Sequence, residues 1–260
     1  MTPAPAVRLL HLTDPHLFAD PEARLRGVTT AASFRRVLDH VQASGWKPDV
    51  VAMTGDVAQD DSVAAYERLR DGLAALGVPV QCVPGNHDVV EPMRRVLDVP
   101  PFVYCGAIAC GAWLVAGVDS RVAGAVGGRL EAAELERLEA LLERTPAAHA
   151  VVCLHHPPLP VGSAWLDETR LADGEGFLRR LAAAGNVRLV LFGHVHQAFE
   201  GEFDGIRVLG TPSTCRQFLE NSVHYAVSDK PPAYRRVTLG AEGAVHSELV
   251  YVETGASAAA

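Results

Sequence analysis

The sequence predicts a layered α/β domain, and three observations predict it. Short apolar runs rich in β-branched residues recur along the chain and read as buried strands. Segments with apolar residues at helical spacing separate several of them. Metal-type side chains stand just past the runs, where an open α/β sheet gathers its ligands. At 260 residues and 48% apolar content the chain can build one sizeable core, and a single domain over residues 1–253 is expected.

The runs are Val7 to Thr13, Val50 to Thr54, Val78 to Val83, Trp113 to Val118, Ala150 to Leu154, Val187 to Phe192 and Ile206 to Leu209. After the first, Phe34, Val37, Leu38 and Val41 keep helical spacing, and Gly45 supplies a stop. Ser62 caps a second helix with Tyr66, Leu69, Leu73 and Leu76 inward and Gly77 at its end. A third helix runs through Leu135, Leu138 and Leu142, its glutamates from Glu131 to Glu143 forming a solvated face, and a fourth through Phe177, Leu178 and Leu181. Strands alternating with helices put sheet inside and helices outside. From Phe199 onward only short strand-like pieces joined by Gly, Pro and Asp remain, so antiparallel strands closing a sheet are expected there. The tail Thr254 to Ala260 is small and featureless and reads as disordered.

Composition excludes several function classes. A formal charge of −8 without a basic run argues against a nucleic-acid partner, because grip on a phosphate backbone needs clustered Lys and Arg. Any phosphate must be attracted locally, and bound metal ions supply such charge inside an acidic protein. No basic leader precedes an apolar run, and nowhere do eighteen apolar residues follow one another without charges, so a soluble cytoplasmic protein without a membrane partner is expected. The cysteines, Cys82, Cys105, Cys110, Cys153 and Cys215, form neither a Cys-x-x-Cys pattern nor a disulfide framework and read as reduced structural thiols. A homodimer is the prior for assembly, as the commonest form.

The chemistry lies at the strand ends. Asp14 and His16 follow the first run, Gly55 and Asp56 the second, and Gly85, Asn86, His87 and Asp88 the third. His155 and His156 follow the fifth, and Gly193, His194 and His196 the sixth. Asp14 and His16 stand two apart, so extended backbone would send both side chains to one side, and the same holds for His194 and His196. Gly55, Gly85 and Gly193 precede ligands and suit sharp turns and close approach between loops. Asp14, His16, Asp56, Asn86, His155, His194 and His196 form a mixed oxygen and nitrogen set that suits Mn, Fe or Zn. They are too many for one tetrahedral ion. Shared between two divalent ions about 3.5–4 Å apart, with Asp56 as the bridge, they leave room for water and substrate.

This series, in this order, resembles the calcineurin-like metallophosphoesterases, over about residues 7 to 215. The resemblance implies a four-layer α/β/β/α sandwich. It implies one metal on Asp14, His16, Asp56 and His196 and another on Asp56, Asn86, His155 and His194, with His87 beside the phosphate. Two further runs, His155 to Asp167 (HHPPLPVGSAWLD) and Gly210 to Phe218 (GTPSTCRQF), resemble bacterial class III 3′,5′-cyclic AMP phosphodiesterases and, less completely, glycerophosphodiesterases. The implied activity is hydrolysis of cAMP to 5′-AMP, with other small phosphodiesters as the alternative. Between two ions a bridging water would lose its proton near neutral pH and attack phosphorus. Asn86, His87 and His196 would contact substrate. His87 is the candidate acid for the leaving 3′ oxygen, with Asp88 orienting it.

Single histidines carry less. His11, His40, His149, His224 and His246 read as ordinary core or surface residues, and His156 as either support for a ligand or loop packing. Trp165 and Phe218 read first as core-edge cover and second as a base pocket.

Overall fold

The structure, a computed structural model, describes residues 5–145 and 147–253; the tail expected to be disordered, 254–260, lies outside them. In chain order the elements are β1 (Val7–Leu12), a short pair β2 (Arg24–Leu25) and β3 (Val28–Thr29), α1 (Thr30–Ala43), β4 (Val50–Thr54), α2 (Val63–Ala74), β5 (Val80–Val83), α3 (Val90–Leu97), β6 (Phe102–Tyr104), β7 (Ala107–Cys110) and β8 (Trp113–Gly117). There follow α4 (Ala132–Arg144), β9 (His149–Cys153), α5 (Ala164–Asp167), α6 (Gly174–Ala184), β10 (Val187–Phe192), β11 (Phe199–Phe203), β12 (Ile206–Gly210), a short pair β13 (Gln217–Phe218) and β14 (Val227–Ser228), β15 (Ala233–Leu239) and β16 (Val245–Tyr251).

Two six-stranded sheets result, ordered β16-β15-β1-β4-β5-β6 and β11-β12-β10-β9-β8-β7. In the first, β1, β4, β5 and β6 are parallel, and β15 joins β1 antiparallel. In the second, β8, β9, β10 and β12 are parallel and the edge strands β7 and β11 antiparallel.

Alternation along the strands splits the apolar residues into layers. Leu10, Val51 and Met53 face α1 to α3, packing on Phe34, Leu69 and Met93. Leu9, Val50 and Ala52 face the other sheet, meeting Val151, Leu189 and Leu191. Across the second sheet, Val152 and Val190 pack on Leu138, Phe177 and Leu181 of α4 and α6. Helices over sheet over sheet over helices is the four-layer sandwich expected.

The helix signals operate as read. The Ser62 hydroxyl accepts the amide N–H of Ala65 at 3.2 Å, and Gly45 and Gly77, at φ of 71° and 68°, follow α1 and α2. Two helices had no legible signal. One, α3, contains Pro92 in its first turn, where a missing N–H costs no intrahelical bond; the other, α5, is a single turn.

The last third departs from the antiparallel expectation at β12, which is parallel to β10. The β11–β12 hairpin turns at Asp204 and Gly205, both at positive φ, and inserts its second strand next to β10. Apolar residues on both faces, Val208 outward and Leu209 inward, suit β12 to the interior. Glu200 and Glu202, exposed, suit β11 to the edge. Among the described residues no helix is long and apolar enough to cross a membrane.

Candidate metal centre

The parallel strands of both sheets end on one side, and the loops after β1, β4, β5, β9 and β10 bring the chemistry-bearing residues together. Asp14, His16, Asp56, His155, His194 and His196 are buried there, with Asn86 half-buried beside them.

The backbone achieves this differently from the extended pairing expected. Asp14, His16, Asp56, His194 and His196 all lie in the left-handed region, at φ of 51°, 46°, 49°, 69° and 48°. Side-chain alternation therefore does not aim the pairs; successive tight turns do. Each such non-glycine residue costs on the order of 1–3 kcal/mol and persists only where the surroundings over-determine it. Here they do. The His194 N–H donates to both Asp14 carboxylate oxygens at 3.2 and 3.1 Å, the His16 N–H to the Asp56 carbonyl at 3.0 Å, and the Ser213 hydroxyl to the Asp14 carbonyl at 2.6 Å. Of the three glycines, only Gly55 has positive φ, at 94°. Gly85 and Gly193 serve close approach: a Cβ would meet Asp56 Oδ1 at 2.1 Å in the first and Thr13 Oγ1 at 2.0 Å in the second.

Hydrogen bonds fix the imidazole tautomers. His155 donates through Nδ1 to the Thr54 carbonyl at 2.7 Å, and His196 through Nδ1 to the Arg216 carbonyl at 2.6 Å. The Thr169 hydroxyl donates to the Leu166 carbonyl, so at 2.9 Å from His194 it accepts the Nε2 proton. The lone pairs then left converge. His155 Nε2 and His194 Nδ1 lie 3.3 Å apart and 3.2 and 3.0 Å from Asn86 Oδ1, and Asp56 Oδ1 is 3.4 Å from His155 Nε2. On the other side His196 Nε2 lies 3.1 Å from His16 Nε2 and 3.4 Å from Asp14 Oδ1, with Asp56 Oδ2 3.8 Å from His16 Nε2. Nitrogen and oxygen atoms held this close suit a cation, or in its place a proton, between them. The donor set fits divalent ions in two places, with the Asp56 carboxylate reaching both, and His16 Nδ1 is buried without a partner among the described residues.

The electrostatics agree. Burial works to lower His155, yet the charges of Asp56 and Asp14 hold it up at about 9, so without metal the cluster keeps a proton in the place of a cation. Burial works to raise Asp56, but His155, His16 and His87 hold it well below the carboxylate range. Burial lowers His16 to about 4 and holds His194 well below the usual imidazole range.

One neighbour changes role. Asp88, expected to orient His87, turns away: its carboxylate accepts the N–H groups of Gly85, Val57 and Ala58 at 2.8, 3.0 and 3.0 Å, tying the β5 loop to the β4 loop. Gln59 holds His87 instead, its amide donating to Nδ1 at 3.2 Å. His196, expected to contact substrate, lines the cavity above the cluster, with Nδ1 bonded to the Arg216 carbonyl and one ring face stacked on Phe218 at 4.3 Å. His156 accepts the Ser120 hydroxyl at Nδ1 and donates from Nε2 to the Val126 carbonyl, so it pins a loop and offers no lone pair. Thr169 and Gln59 escaped the sequence reading, because nothing in their local sequence has a metal or phosphate pattern.

Above the cluster opens a cavity of about 310 Å³ that His87, Asn86 and Thr169 line together with Trp165 and Phe218. The two aromatics are therefore wall as well as core edge.

Comparison with known proteins matches residues 7–198 to the family described as calcineurin-like phosphoesterase. A relative from Vibrio vulnificus is 38% identical over 96% of this chain and 92% of its own length. One from Haemophilus influenzae is 36% identical over 96% and 91%. Both are named 3′,5′-cyclic adenosine monophosphate phosphodiesterase CpdA. Among solved structures, a dimetal phosphatase from Danio rerio aligns at TM-score 0.64 and 14% identity over 96% of this chain and 100% of that one, a likeness of fold. With most of its length matched by the family and relatives above one-third identity along nearly all of it, the chain belongs to the calcineurin-like phosphoesterase family.

Proposed function

We propose that the chain hydrolyses 3′,5′-cyclic AMP to 5′-AMP at this centre, using two divalent ions. The observation that carries the reading is the convergence of imidazole nitrogens on carboxylate and amide oxygens in two adjoining groups that share Asp56. The relatives named for cAMP hydrolysis support the substrate.

Asp14, His16, Asp56 and His196 would hold one ion, and Asp56, Asn86, His155 and His194 the other. When bound, the ions supply Lewis-acid charge for the phosphate and a water acidic enough to attack near neutral pH. The protein contributes orientation. Asn86 commits Oδ1 to the ligand cluster, which leaves its amide N–H groups for a non-bridging phosphate oxygen. His87 accepts from Gln59 at Nδ1, so its ring proton sits on Nε2, and the exposed ring packs edge-on against His16 at 5.1 Å. In its cationic form, the one competent as an acid, the ring would pass the Nε2 proton to the leaving 3′ oxygen, a poor leaving group otherwise, and return to the neutral form that Gln59 holds at Nδ1.

The test is initial rates of Mn²⁺-loaded protein on 3′,5′-cAMP, 3′,5′-cGMP, 2′,3′-cAMP, glycerophosphocholine and bis(p-nitrophenyl) phosphate, with Asp56→Ala as control. Highest kcat/KM on 3′,5′-cAMP and a dead control is the expected result. Turnover of bis(p-nitrophenyl) phosphate with almost none of cAMP would keep the metal site and remove the substrate.

A further inference from the structure

One wall of the cavity has no part in the chemistry above. Trp165, Phe218 and Tyr225 pack edge to face, with ring centroids 5.1, 5.3 and 5.5 Å apart. Phe218 ties this cluster to the metal centre through its stack on His196. Arg26 overhangs it, its guanidinium carbon 4.4 Å from the Tyr225 centroid and 5.8 Å from that of Phe218. Among the described residues those two rings are the partners of the guanidinium, and no carboxylate pairs with it.

The placement of Arg26 is built. It shares the tip of the β2–β3 hairpin with Gly27, both at positive φ (51° and 84°) as in a type I′ turn. A non-glycine residue in that conformation carries strain, and here the strained tip aims a cation over the cavity mouth. All four residues line the cavity with His87 and Asn86. The Trp165 indole Nε1 is also buried without a partner among the described residues.

A planar cation backed by tyrosine, beside further aromatic faces and next to a phosphate-ester centre, matches one chemical group well. A nucleobase offers a π-face to rings and guanidinium and ring nitrogens to N–H donors. We propose that Arg26, Tyr225 and Trp165 form the subsite for the base of a nucleotide substrate, the guanidinium lying between the base and Tyr225. Phe218 keeps this subsite in register with His196, so phosphate and base are fixed by one connected block. The inference rests on the reading of the chain as a cyclic-nucleotide phosphodiesterase, but its test need not use cAMP turnover.

Hydrolysis of bis(p-nitrophenyl) phosphate by the Mn²⁺-loaded full chain is inhibited in turn with 5′-AMP and with ribose 5-phosphate, and the ratio of the two inhibition constants isolates the base. The ratio is expected to favour 5′-AMP by about tenfold or more in the parent, and to fall towards one in Arg26→Met or Tyr225→Leu, each read against its own ribose 5-phosphate value. Tyr225 is 45% exposed and Arg26 sits on a hairpin tip, so neither variant threatens the core. A ratio near one in the parent, or a ratio retained in both variants, overturns the subsite. Failure of the wider reading has a different signature: no cAMP turnover while the 5′-AMP preference persists.

Discussion

The floor and the rim of the cavity are held by opposite means. On the floor, three of the buried imidazoles at the strand ends are fixed by a second bond, His155 to Thr54, His194 to Thr169 and His196 to Arg216, and five of the buried groups there occupy left-handed backbone. On the rim, Arg26 and Tyr225 are exposed and rest on one another through a cation–π contact. The difference teaches where each kind of function resides. Metal chemistry tolerates little displacement, so the fold spends strain and hydrogen bonds to fix it. Base recognition, as proposed for the rim, would need only stacked faces, which a looser frame can supply.

The contrast is broken or sharpened first at the border. His87→Ala is expected to lower kcat on cAMP by about 10²–10⁴-fold. Its effect on bis(p-nitrophenyl) phosphate should be far smaller, since nitrophenolate leaves without a proton. Equal losses on the two substrates would remove His87 as the acid.

Next comes the floor's outer support. Thr169→Val removes the acceptor for His194 Nε2 while keeping the side chain's shape. Metal affinity, measured by calorimetric titration, should fall about 10–100-fold. No change would mean that the tautomer of His194 is set elsewhere.

The smallest effects compare stability directly. Gly193→Ala forces a Cβ to within 2.0 Å of Thr13 Oγ1 and 2.7 Å of Asp14 Oδ2, and should cost about 1–3 kcal/mol in urea denaturation. Tyr225→Leu on the rim should stay within about 0.5 kcal/mol. Similar losses from both would erase the distinction between a fixed floor and a loose rim.

What was legible follows the same division. Strand ends were readable because apolar runs stop abruptly at Asp14, Asp56, Asn86, His155 and His194, and residue type there signals chemistry directly. Their backbone was not readable, because the sequence pattern suggested extended pairs where the loops turn left-handed at each ligand. The role of Asp88 was hidden for a related reason. Adjacency to His87 suggested partnership, but the amides of Gly85, Val57 and Ala58 claim its carboxylate. The rim was the least legible part. Arg26, Trp165, Phe218 and Tyr225 lie on three separate stretches of chain, and only the folded loops bring them together. Likewise β12 carried the apolar signature of a strand but no sign that it would run parallel to β10.

The central claim is that these residues hold two ions through a shared carboxylate. The most direct measurement is metal content per chain by inductively coupled plasma mass spectrometry, after chelator stripping, reloading with Mn²⁺ and desalting, on the parent and on Asp56→Ala. The account predicts about two ions per chain in the parent and fewer than one in the variant, since Asp56 faces both ligand groups. One ion or none in the parent, or two retained without Asp56, would contradict it.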